Sequence, residues 1–129
     1  MKSKYHFSFE DLKVYQKAMD FAEYAHLLAI KFPKDERFAL KSQYKRAADS
    51  IALNISEGAC GSDAQFHNYL GNAWYSANEC VSCVTKAKRR DYISFEEYEE
   101  NRRMLTEITK MITTLRKKIY QRINNITKP

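Results

Sequence analysis

At 129 residues, with 44% hydrophobic and 29% charged residues and only three Gly and two Pro, the chain holds one packed core by length, and its composition excludes disordered, collagen-like and turn-rich sheet proteins. A charge of +6 from 22 basic and 16 acidic residues favours polyanionic partners wherever the excess is clustered. The three cysteines have no framework spacing and are expected as reduced thiols; no apolar run nears the roughly 20 residues that span a bilayer, and the start M-K-S-K-Y-H-F-S-F lacks a signal-peptide core, so a cytoplasmic all-α protein is expected, as a single domain over 1–129.

The first helix is expected over about 9–32, opened by Ser8 with Asp11 three residues on, a weak form of the capping box. It carries two apolar seams, Leu12, Tyr15, Met19, Ala22, His26, Ala29 and Val14, Ala18, Phe21, Ala25, Leu28, Phe32. Two seams exceed what one bundle position needs, which points to self-association. Pro33 and Asp35 break the pattern and start a second helix at about 36–58, with the seam Leu40, Tyr44, Ala47, Ile51, Asn54 and Gly58. Asn54 falls where an apolar residue belongs, and Gly58 reads as the helix stop.

A third helix, about 63–90, opens with a Ser62–Gln65 capping box and runs through Phe66, Leu70, Ala73, Ala77, Cys80, Val84 and Ala87. Ser94 and Glu97 repeat that opening for a fourth, about 95–126, along Tyr98, Leu105, Ile108, Ile112, Leu115, Ile119, Ile123 and Ile126. Four such helices on short connections form an antiparallel up-down-up-down four-helix bundle. In that packing Asn54 meets Ser76 or Glu79, and Glu57 approaches Glu79. A polar group in a seam needs a hydrogen-bonding partner, so Asn54, Glu57, Ser76 and Glu79 are expected as a structural polar network that pins register.

Catalytic chemistry has no carrier in this pattern. Cys80 and Cys83 have C-x-x-C spacing, but no second pair or His set completes a zinc site, and Cys80 lies on the apolar seam. Glu57 and Glu79 are a carboxylate pair without a nucleophile motif or phosphate loop. No enzyme, metal or cofactor is expected.

The basic residues are the stronger signal. Lys86, Lys88, Arg89 and Arg90 end the third helix, beside Lys31 and Lys34, while Lys110, Arg116, Lys117, Lys118, Arg122 and Lys128 follow Glu107 with no acid among them. Cations at helix C-termini complement the dipole, so part of this is structural. Arg37, Lys41 and Lys45, in the opening turns of the second helix, oppose it. Phosphate contact through counterion release is the chemistry such clusters serve. Arg37, Lys41, Lys45, Lys86, Lys88, Arg89, Arg90, Arg116, Lys117, Lys118 and Arg122 are the candidate nucleic-acid-binding set, for RNA or DNA. A protein-interaction scaffold with merely solubilising poles is the alternative.

F-E-D-L-K-V-Y-Q-K-A at Phe9 to Ala18, F-P-K-D-E-R-F-A-L-K-S-Q at Phe32 to Gln43, R-A-A-D-S-I-A-L-N-I-S-E-G at Arg46 to Gly58, F-H-N-Y-L-G-N-A at Phe66 to Ala73 and S-A-N-E at Ser76 to Glu79 come in an order and spacing that resemble a family. It is that of the four-helix-bundle proteins encoded in intervening sequences of bacterial 23S rRNA genes, related to the accessory variability determinants of diversity-generating retroelements. The resemblance spans about 9–115 and implies an up-down-up-down bundle, a ring-shaped homopentamer and a basic, nucleic-acid-facing surface. It implies a non-enzymatic accessory role, since the retroelement relatives bind a reverse transcriptase and nucleic acid. Where the family usually carries Gly, often after a basic residue, this chain has Trp74 and Tyr75, so a bulkier, less basic contact is expected there.

Overall fold

The periodic stretches wind into four helices, α1 Lys13–Ala29, α2 Leu40–Ala59, α3 Asp63–Arg89 and α4 Phe95–Thr127, with short 3-10 turns at Ser8–Asp11 and Lys34–Glu36. This computed structural model describes residues 2–127. Lys128 of the basic tail and the side chain of Ile126 of the fourth seam lie outside the described residues. Among those described there is no strand, and no helix is long and apolar enough to cross a membrane.

Two openings follow the expected capping chemistry. Ser62 Oγ accepts from the Gln65 N–H at 3.2 Å while Gln65 Oε1 accepts from the Ser62 N–H at 2.8 Å. Ser94 and Glu97 do the same at 3.1 and 2.8 Å, so each pair satisfies two otherwise orphaned donors.

The other two openings differ. Ser8–Asp11 forms a 3-10 turn, and extended Leu12, at ψ 122°, precedes α1; Glu10, not Asp11, reaches back, to the Phe7 N–H at 3.0 Å. The second helix begins at Leu40 instead of about 36: Asp35 caps nothing, and Lys34–Glu36 forms a separate 3-10 turn whose Glu36 carboxylate binds Arg90 and Tyr92, at 2.7 and 2.8 Å. Arg37 therefore precedes α2.

Gly58 is also not a stop. It lies inside α2 without positive φ, and its role is close approach: a Cβ there would come within 2.5 Å of Tyr69 Cβ. The left-handed position is Asp91, φ 60°, closing α3 as the Tyr92 N–H donates to the Ala87 carbonyl at 2.9 Å, the six-to-one bond of a Schellman ending.

Cross-helix contacts run in opposite sense between chain neighbours. Phe32 stacks on Tyr44 and His26 bonds Asp49; Ser50 meets Ser76 and Gly58 meets Tyr69; Thr85 meets Arg102 and Asp63 meets Arg122. Helix α1 closes on α4 in the same sense, with Lys31 on Glu97 and Lys17 on Glu107. Each helix thus packs on two others around one core, the antiparallel arrangement of a four-helix bundle.

Of the two α1 seams, Val14, Ala18, Phe21, Ala25, Leu28 and Phe32 are buried, whereas Met19 is exposed and His26 half-buried. The α3 seam is buried from Leu70 to Ala87. Among the described residues the buried polar side chain is Asn101, whose Nδ2 donates to the Tyr44 hydroxyl between α4 and α2.

Candidate nucleic-acid interface

The outward face of α2 follows from its period. Leu40, Tyr44, Ala47, Ile51 and Ile55 turn inward, which leaves Lys41, Lys45, Arg46, Asp49 and Leu53 on the other side. With His26 of α1 and the preceding Arg37 and Phe38, they line an open groove of about 850 Å³ that ends at Asn54 and Glu57. Arg37, Lys41, Lys45 and Arg46 form no ion pair among the described residues, whereas Lys17, Lys31, Arg90, Arg103 and Arg122 each hold a carboxylate. The Arg37 guanidinium lies 4.5 Å over the Phe38 ring, which is 85% exposed. Within the groove His26 Nε2 lies in hydrogen-bond contact with the Asp49 carboxylate, at 2.9 Å.

A smaller recess of about 450 Å³ continues around Phe38 and Arg46 to Lys86 and Arg90. Arg90 is bound to Glu36 at 2.7 Å. The Tyr92 hydroxyl, helped by Arg90, holds the Glu36 carboxyl below its ordinary 4.5, so Arg90 faces a full negative charge at neutral pH. Lys88 approaches Asp91 at 4.0 Å, and Arg89 is exposed. With Lys31 on Glu97 as well, three of the cations at this end of the bundle, Lys31, Lys88 and Arg90, lie against its own acids.

The remaining candidates are elsewhere. Arg116 and Lys117 line a cleft between α3 and α4, Lys118 faces Leu12, Lys13 and Lys110 between α1 and α4, and Arg122 is held by Asp63 at 2.9 Å. Of the basic set, the structure brings together Arg37, Lys41 and Lys45, with Lys86 and Arg90 adjoining. Sequence reasoning missed Arg46 and Phe38. Arg46 lies one turn from Ser42 and Asp49 on the same outward stripe, the spacing that would have identified it.

The polar network forms only in part. Asn54 Nδ2 donates to the carbonyl and hydroxyl of Ser50 in its own helix, at 2.8 and 2.9 Å, and the Ser76 hydroxyl donates to Ser50 Oγ at 3.0 Å. Ser50 is therefore the bridge that the sequence did not single out. Glu79 accepts instead from Gln43 at 3.2 Å, and Glu57 is exposed. With Ser50 opposite Ser76 and Gly58 opposite Tyr69, Glu57 and Glu79 fall toward opposite ends of α2 and form no carboxylate pair.

Cys80 and Cys83 are buried free thiols. Burial pushes Cys83 up to about 11 and Cys80 further, so neither is a thiolate near neutrality. Among the described residues no cluster of three or more His, Cys, Asp or Glu is placed to hold a metal ion.

The profile of a family described as 23S rRNA-intervening sequence protein matches residues 10–114. Among solved structures, the chain is similar to a protein of unknown function from the S23 ribosomal protein family of Bacteroides thetaiotaomicron VPI-5482. The two are 31% identical with a TM-score of 0.73, over 81% of this chain and 95% of that one. No curated protein matches.

Proposed function

Because the chain belongs to the 23S rRNA-intervening sequence protein family and carries a basic groove along α2, we propose that it is a non-enzymatic, self-associating protein that binds RNA or DNA through phosphate contacts in that groove. The observation that carries this reading is the run of Arg37, Lys41, Lys45 and Arg46, four cations on one face with no carboxylate partner among the described residues. An unpaired cation at the opening turns of a helix opposes the helix dipole, so dipole complementation does not account for Lys41 and Lys45. Phosphate does, and Arg37, 4.5 Å over the exposed Phe38 ring, presents a planar donor for it. Exposed Leu27 of α1 and Ile30 just beyond its end, each 68% exposed, support contact with further copies of the chain. Five copies is the number that the family resemblance suggests.

The test is the salt dependence of binding to a structured RNA by fluorescence anisotropy. Four phosphate contacts give a log–log slope of about −3.6 and roughly a 150-fold loss of affinity between 50 and 200 mM salt. The Lys41→Gln/Lys45→Gln variant halves that slope. Negligible binding at low salt overturns the proposal. The same exposed apolar residues favour a second reading, a protein-interaction scaffold. Co-purification of one protein partner free of nucleic acid, with no RNA affinity, would support that reading instead.

A further inference from the structure

A second cleft, between α3 and α4, shares no residue with the α2 groove. It encloses about 500 Å³, within the ~300–1,000 Å³ usual for small-molecule sites. Trp74 and Tyr75 wall it from α3 and Tyr120 from α4. The Trp74 and Tyr75 rings meet edge to face with centroids 5.4 Å apart, and Tyr120 lies 5.8 Å from the His67 ring. Tyr75 and Tyr120 are nonetheless 69% and 55% exposed, so much of their aromatic surface is uncovered.

The cations beside these rings are placed by backbone. A Cβ on Gly71 would come 3.3 Å from Arg116 Nη2, so the absent side chain admits the guanidinium against α3, where Arg116 Nε donates to the His67 carbonyl at 3.3 Å. Neither Arg116 nor Lys117 has a carboxylate partner among the described residues. Desolvation, reinforced by Arg116, holds the His67 imidazole below its ordinary 6.5, so it is mainly neutral near pH 7 and adds a flat ring. Thr113 and Gln121 complete the lining with hydrogen-bonding groups, and it contains neither an aliphatic side chain nor a carboxylate. Aromatic faces, two unpaired cations and an amide are complementary to a flat, polar, anionic ligand.

We propose that this cleft is a base-stacking site for single-stranded RNA, in which an unpaired nucleobase lies against Trp74 and Tyr120 while Arg116 and Lys117 hold its phosphate. Unpaired RNA bases are commonly bound by stacking on aromatic rings, which is tolerant of sequence because every base has a π face. The α2 groove would then take backbone, and this cleft a base. The assignment goes beyond the proposed function and does not depend on the groove.

Trp74 is the sole tryptophan, so fluorescence excited at wavelengths that the nine tyrosines do not absorb reports on this cleft alone. The experiment titrates the full chain with hexaadenylate RNA, and with inorganic polyphosphate as a base-free polyanion. Saturable quenching by hexaadenylate and none by polyphosphate is expected. Tyr120→Ala should weaken it about tenfold to a hundredfold, Tyr120→Phe should leave it intact, and Lys41→Gln/Lys45→Gln should preserve it. No quenching by hexaadenylate, equal quenching by polyphosphate, or unchanged binding by Tyr120→Ala with a native circular-dichroism spectrum would overturn the inference. Failure of structured RNA to bind the groove, with hexaadenylate quenching retained, would remove only the proposed function.

Discussion

Replacing Gly58 by Ala sets two effects of opposite sign against each other. Gly58 is next to last in α2 and not at positive φ, so Ala contributes at most about 1 kcal/mol through helix propensity. The new Cβ would lie 2.5 Å from Tyr69 Cβ and 3.0 Å from Phe66 Cδ1, where ordinary contact begins at 3.4 Å. Tyr69 Cβ is fixed to the α3 backbone and cannot rotate away, so α2 and α3 must separate by about 1 Å. Overpacking costs typically 1–3 kcal/mol, and a contact this short belongs at about 3. The net loss is about 2 kcal/mol, which lowers Tm by about 8 °C for a chain of this size. Differential scanning calorimetry of Gly58→Ala, and of the same change in a Tyr69→Ala background, is the assay. Trimming Tyr69 removes the 3.2 Å contact to its Cγ but keeps the 2.5 Å contact to its Cβ, so most of the loss should persist in that background. A Tm equal to or above that of the unmodified chain would refute the close-approach account and restore propensity as the governing effect.

Thiol accessibility should divide the cysteines: Cys60, exposed, reacts with a thiol reagent in the folded chain, whereas Cys80 and Cys83 react only on unfolding, and three equivalents labelled under native conditions would contradict their burial. Acid should also destabilise the fold in a definite window. Lys31 hydrogen-bonds Glu97 and Tyr92 hydrogen-bonds Glu36, each holding its carboxyl below the ordinary 4.5. The unfolded chain therefore takes up protons first, so this stability is present above about pH 4.5 and is lost as pH falls through the folded-state values. Urea melts from pH 6 to pH 3 should show a shallower fall for Glu97→Gln, and an identical fall would remove Glu97 from the account.

Helix identity was legible because Leu70 to Ala87 and Leu105 to Ile119 keep a strict apolar step, and the Ser62 and Ser94 openings carry their caps within four residues. The second opening was not legible, because the groups that hold Glu36 are distant: Arg90 and Tyr92 lie more than fifty residues along the chain; at the first, Glu10 and not Asp11 takes the reach back to the Phe7 N–H. The polar residue of the core was legible in principle. Asn101 fills the gap in the fourth seam between Tyr98 and Leu105, at steps of three and four, whereas the spacing of the second seam singles out Asn54. There the helical period of 3.6 lets the seam drift, Ile55 takes the core position, and Asn54 turns back to Ser50. For the candidate site, charge alone identified the basic residues. It could not show which of them have carboxylate partners, since Arg122 finds Asp63 and Arg90 finds Glu36 only through the packing of separate helices.

One end of the bundle is held as a single mechanical unit. There Glu36 accepts from both Arg90 and Tyr92 while Lys31 holds Glu97. The α1–α2 and α3–α4 connections are thereby stitched to each other, and neither can open without pulling on the other. At the other end the α2–α3 turn is tied to α4 by the exposed Arg122–Asp63 pair, and the first and last described turns lie beside it. The start of the α2 groove, at Arg37 and Lys41, adjoins the stitched end, so its cations are carried by connections that move as one.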